Sequence, residues 1–342
     1  MSDYFYKTWG SRGFFQEGDT VVVFGHKGYE DIKVLRIPEK IKIKNIWTPI
    51  HELNLNNRNI EELTVPATVC KIESIFSKVL RRLIILGDGC RIEDDTFKEC
   101  TALTEVYMPS RCMRYLKAFK GTPWYDKFVS GLKGALIDNG TLIKVKDAVD
   151  YVVPEGVTGI LENAFELSPN LRSVTLPESI EHLDYAFKNC KSLENVVFPK
   201  CVKSGTTLIS TFEGCTSLRE LKIPEGVESL DGTCRECKSL KKVNLPKGLK
   251  SIGYKYSWYN EGAFANCTDL TEINITDDVE KMNRAFIGCI SLKKIHIPKS
   301  VTNLKEAFIK CSSLETIENE SSVEITANDC EGTPYYEQHF KK

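Results

Sequence analysis

The sequence predicts a right-handed solenoid, mostly β or α/β, of about ten coils of ~22 residues with a parallel sheet on the concave face. Three observations carry this prediction. Pro154, Pro177, Pro199, Pro224 and Pro246 are separated by 23, 22, 25 and 22 residues, and Pro298 returns in phase after Thr276 takes the proline's place. An Ala-Phe step recurs in the same phase at Ala118-Phe119, Ala164-Phe165, Ala186-Phe187, Ala263-Phe264, Ala285-Phe286 and Ala307-Phe308. A cysteine follows three residues after the Phe place at Cys100, Cys190, Cys215, Cys237, Cys267, Cys289 and Cys311.

The elements follow in order. Residues 1–55 read as an irregular N-terminal cap containing the strand-like run Thr20-Val21-Val22-Val23-Phe24-Gly25. Residues 56–330 form the array. Its clearest coil, Leu171 to Cys190, alternates apolar and polar residues at Val174-Thr175-Leu176, which suits a short strand. Pro177 then removes a ladder donor and ends the strand. Ile180, Leu183 and Phe187 point inward from the return path. One coil cannot enclose these side chains, so stacked neighbours make a continuous core. Two inserts break the period and are expected to project from the stack. Residues 121–147 contain two apolar runs joined at Asp138-Asn139-Gly140, a β-hairpin with a glycine-dependent turn. Residues 253–261 add an aromatic loop. Residues 331–342 close the chain as a polar cap and tail.

The phrase [LI]-x-x-[IV]-x-[IL]-P-x-x-[VI]-x-x-[IL]-x-x-x-A-F-x-x-C resembles the BspA-type leucine-rich repeats of bacterial and protist surface proteins, over roughly residues 60–330. Gly121-Thr122-Pro123-Trp124-Tyr125, partly repeated as Gly332-Thr333-Pro334-Tyr335-Tyr336, is similar to an insert of such proteins. The resemblance implies a leucine-rich repeat solenoid serving as a non-catalytic binding or adhesion module at a cell surface or outside the cell.

Composition narrows the function. Lys plus Arg is 46 and Asp plus Glu is 47, for a net charge of −1. That balance argues against a general nucleic-acid binder, which needs a cationic excess. No apolar run is long enough to span a membrane. The opening Met1-Ser2-Asp3-Tyr4-Phe5 stretch shows no secretory signal. The chain lacks a phosphate-binding glycine loop, a dinucleotide fingerprint, an H-E-x-x-H helix and a nucleophile elbow. Its five histidines have no metal-ligand spacing. The expectation is therefore no enzyme, no cofactor and no metal.

The in-phase cysteines read as a structural ladder, each thiol filling a bend and offering its S–H to a backbone carbonyl. Cys234-Arg235-Glu236-Cys237 is a lone CxxC, but Cys234 takes the Phe place, so both sulfurs are expected in the core. Unpaired thiols favour a reducing compartment, against the surface location implied by the resemblance.

The third and fifth positions of each strand should face outward and stack into two columns. The third, from Glu62, Arg82 and Glu105 to Lys242 and Lys294, is mixed in charge. The fifth contains Ile84, Tyr107, Val152, Thr175 and Val197, an apolar stripe that suits the centre of an interface. β-Branched and aromatic residues also suit strands for their own sake, and the 121–147 hairpin is a second way to cover them. A further candidate is the aromatic loop with Tyr254, Tyr256, Trp258 and Tyr259, which either anchors a partner or packs on a neighbouring coil. The expected partner is a protein, such as a host or cell-surface component, with a glycan left open, and the chain is expected to be a monomer. The alternative is a structural scaffold or spacer that self-assembles into a larger coat.

Overall fold

A computed structural model describes residues 4–9, 20–26, 33–43, 46–56, 59–253 and 262–341. The chain divides into two compact units, residues 1–132 and 133–342. Both are built from short parallel strands joined by tight bends, with little helix.

In the first unit, strands Val34–Arg36, Glu62–Val65, Arg82–Ile85 and Glu105–Tyr107 form one parallel sheet. Its register aligns Glu62, Arg82 and Glu105, and likewise Thr64, Ile84 and Tyr107. Val34 already pairs with Glu62, so the repeat register begins inside the expected N-terminal cap. A second sheet starts with the antiparallel pair Tyr4–Trp9 and Thr20–His26 and continues in parallel through Glu52–Asn56, Lys71–Phe76 and Arg91–Ile92. The side chains between the sheets are buried Leu and Ile, among them Leu53, Leu63, Ile72 and Leu83. Phe97 stacks on Phe119 with centroids 4.6 Å apart, and Trp124 closes that column edge-on at 5.0 Å. Trp124 belongs to α1, Pro123–Gly131. Thr122 caps this helix by accepting the Tyr125 N–H, and Pro123 supplies a pre-set φ in the first turn. The sequence reading of the 121–147 insert contained only the hairpin; the Thr-Pro pair is the helix start it passed over.

In the second unit the outward sheet comes in three pieces: Asp150–Val152 with Ser173–Thr175 and Asn195–Val197, Glu220–Lys222 with Lys242–Asn244, and Lys294–Ile297 with Thr316–Asn319. A second ladder, running through Gly159 and His182 and later through Ser229, Ser251, Lys281 and Asn303, lies on the return path. A third runs along the bends: Phe187 donates its N–H to Thr211 O, Phe212 to Thr233 O, Phe264 to Ala285 O and Phe286 to Ala307 O, at 2.8–3.0 Å. Left-handed residues flank the Phe place on both sides, as Arg284 (φ 57) and Gly288 (φ 70) do around Phe286. Positive φ at these positions lets the chain turn sharply enough to close a short coil.

The hairpin forms where expected. Ala135–Asp138 pairs antiparallel with Thr141–Val145 around Asn139-Gly140, both at positive φ. It does not project as a whole. Thr141–Val145 buries Leu142, Ile143 and Val145 and pairs in parallel with Gly159–Ile160. The reason is that Leu142, Ile143 and Val145 supply the wall of a coil rather than a solvated arm, with the buried Lys144 held by Glu166 and the Asn163 carbonyl. Residues 254–261, and with them Tyr254, Tyr256, Trp258 and Tyr259, lie outside the described residues.

Candidate interaction surface

Burial alternates along the short strands of the outward sheet. Leu221 and Val243 are buried while Glu220, Lys222, Lys242 and Asn244 face outward, and Ser173–Thr175 repeats the pattern. The third-position column sets opposite charges and polar partners side by side. Arg82 Nε lies 3.6 Å from Glu105 Oε2, Ser173 Oγ donates to Asp150 Oδ1 at 2.5 Å, and Glu220 sits opposite Lys242. Opposite charges on neighbouring strands favour the stack itself.

The fifth-position column is different. Val152 is 71% exposed and Val197 46%, with the exposed Thr175 in register between them. Val149, one residue before its strand, adds a further exposed aliphatic side chain. The hairpin does not cover these residues, because its second strand is committed to Gly159–Ile160 on the return path. In the first unit Tyr107 is 52% exposed beside a half-buried Ile84, and the Arg82 guanidinium stands 5.1 Å above the Tyr107 ring. Leu86, 58% exposed, extends that patch. In the sequence Leu86 marks a shortened, degenerate coil, a leucine standing where other coils place proline, and Val149 is a valine where most coils place charge; neither pattern alone assigns them to the surface.

The cysteines make a different kind of site. Cys215, Cys237, Cys267, Cys289 and Cys311 are fully buried. Each Sγ donates to the carbonyl at the Phe place one coil back: Phe187, Phe212, Cys234, Phe264 and Phe286, at 3.0–3.1 Å. The same carbonyls accept a backbone N–H within their own coil, so each oxygen stitches two coils together. Cys100 donates to Ile75 O at 3.3 Å. Ser168 replaces the thiol in one coil and donates to Val145 O at 3.0 Å. Cys190 is only half-buried. Burial pushes the Cys100 thiol up to about 11 and the Cys311 thiol to about 12, and holds Cys215, Cys267 and Cys289 well above the ordinary range. These are inert, protonated sulfurs. Among the described residues no group of three or more His, Cys, Asp or Glu is placed to hold a metal ion, and no helix is long and apolar enough to cross a membrane.

Repeating strands, Phe stacks and a bend residue bonded one coil back define a leucine-rich repeat solenoid. The chain belongs to the BspA type leucine rich repeat region family, whose pattern matches it in six copies over residues 35–127, 137–261 and 260–332. No curated protein matches it in sequence. Among solved structures it is similar to a leucine rich cell surface protein from Faecalibacterium prausnitzii, at 17% identity over 93% of each chain with a TM-score of 0.39. A leucine-rich repeat protein from Bacteroides ovatus shares 21% identity over 93% of each chain, with a TM-score of 0.32. The pneumococcal vaccine antigen PcpA shares 14% identity over 95% of this chain and 98% of its own, with a TM-score of 0.41.

Proposed function

We propose that the chain is a non-enzymatic protein-interaction or adhesion module that works through the outward sheet of its solenoid. The observation that carries this reading is the Val152, Thr175, Val197 column. Two aliphatic side chains stand in water on a face whose neighbouring column is already paired. Solvating them costs the fold free energy that a partner's apolar surface would recover. Tyr107 over Arg82 offers an equivalent anchor in the first unit, of the residue types that dominate binding hot spots. The family supports the same reading, since leucine-rich repeats bind proteins in general.

The test is substitution on the face. Val152→Asp with Val197→Asp, and separately Tyr107→Asp, are expected to abolish capture of the partner from cells of the source organism or its host. The melting temperature should not fall, because these side chains contribute little buried area. Capture that survives both substitutions rejects this surface. Size-exclusion with light scattering should give a single-chain mass; a larger assembly would favour a scaffold instead.

A further inference from the structure

We infer that the partner segment received by the second unit is acidic, an extended stretch of protein carrying carboxylates beside an aliphatic or aromatic anchor. This rests on the reading of the outward sheet as the binding face. Following the fifth-position column past Val197, the next strand presents Lys222 in place of an apolar side chain. Arg219 and Lys241 stand beside each other one position before their strands, tied by the bond from Lys241 N–H to Arg219 O at 2.8 Å.

Arg219, Lys222 and Lys241 are exposed, and none of them makes an ion pair among the described residues. The acidic groups of the same face are accounted for. Glu220 sits opposite Lys242 in register, the exposed Glu272 holds the same position in the following coil, and Glu194 is the carboxylate at the position of Arg219 in the preceding coil. Four cations therefore share this part of the face with three carboxylates, and the excess lies with Arg219, Lys222 and Lys241. In the third-position column opposite charges meet across the strands; here the cations are left over.

Unpaired cations on a fixed sheet keep their full attraction for an incoming carboxylate, and rigid placement spares the partner the entropy of ordering them. The apolar part of the face lies directly before them in the column, so anchor and charge are read along one strand direction. A neutral or basic segment would leave Lys222 and Lys241 facing like charge or nothing, which disfavours it.

A random-peptide display library selected against the full chain tests this. The expected result is enrichment of peptides with Asp or Glu adjacent to Leu, Ile, Phe or Tyr. Synthetic copies of the winners should lose affinity about tenfold or more on Lys222→Glu with Lys241→Glu. They should also weaken as salt rises from about 50 to about 500 mM. Val152→Asp with Val197→Asp should abolish their binding, and thermal melts of all variants should match the parent.

Failure to enrich any peptide, or enrichment without acidic residues, overturns the inference. If the valine pair matters and the lysine pair does not, the face binds but its partner is not acidic. If neither matters, the reading of the face falls as well. Retention on heparin that depends on the lysines but not on the valines would assign the cations to a polyanion, and that also overturns it.

Discussion

A single thiol illustrates how the coils are joined. The Phe264 carbonyl accepts the Cys267 N–H at 3.1 Å within its own coil and the Cys289 S–H at 3.1 Å from the next. Cys289→Ala removes that second bond and opens a small void, with an expected loss of about 1–2 kcal/mol in denaturant unfolding. Cys289→Ser keeps a donor in place and should lose less; equal losses would mean the bond is inert. The thiols also set a pH dependence. An unfolded cysteine ionises near ~8.5, whereas burial holds Cys100 and Cys311 protonated to about 11 and about 12. Because the folded values are raised, this stabilisation is whole below about pH 8.5 and is lost as pH climbs toward the folded values. Denaturation midpoints measured from pH 7 to 11 should fall along that range. Disulfide-exchange reagents should reach the exposed Cys70 and Cys201 in the native chain, and the buried sulfurs only on unfolding.

At the scale of elements, the coil's Phe place and its helical closures carry the stability. Phe286 is stacked between Phe264 at 5.6 Å and Phe308 at 6.0 Å and is fully buried. Phe286→Ala should cost about 3–5 kcal/mol in a thermal or denaturant melt. The terminal helix α2, Pro334–His339, repeats the construction of α1: Thr333 accepts the Tyr336 N–H at 2.9 Å and donates to Cys330 O at 2.7 Å. Thr333→Ala should destabilise by about 1 kcal/mol, read as early fraying of that end in hydrogen exchange. Much of this level was legible from sequence. Proline, Ala-Phe and Cys in phase mark strand end, core column and bend. What stayed hidden were the helix behind Gly121-Thr122-Pro123 and the burial of Thr141–Val145. The helix is short enough that its cap is most of its signal. The strand is an apolar run that fits a projecting hairpin or a coil wall equally well, until its partner Gly159–Ile160 is known.

At the scale of the molecule, the repeat was readable because each coil uses one pattern for three tasks: pairing, packing and turning. The candidate surface was less so. Period-2 alternation places Ile84, Tyr107, Val152, Thr175 and Val197 outward, but not how far each stands in water. Val152 at 71% and a half-buried Ile84 have the same place in the pattern. Exposure depends on the neighbours in adjacent coils, which lie more than twenty residues away in the chain. For the same reason the self-pairing of Arg82 with Glu105, and the surplus of cations near Lys222, emerge only when strands are set side by side.

The bonds passed from bend to bend have one more consequence. Where consecutive coils share one strand register, as Asp150–Val152, Ser173–Thr175 and Asn195–Val197 do, each presents the next with a like row of donors and acceptors, so a whole coil there can be removed without shifting the register. Excising residues 171–192 joins Asn170 to Leu193 with the outward strands in phase and brings Val152 beside Val197. That truncated chain should still melt cooperatively, whereas removing half as many residues should not yield a folded protein.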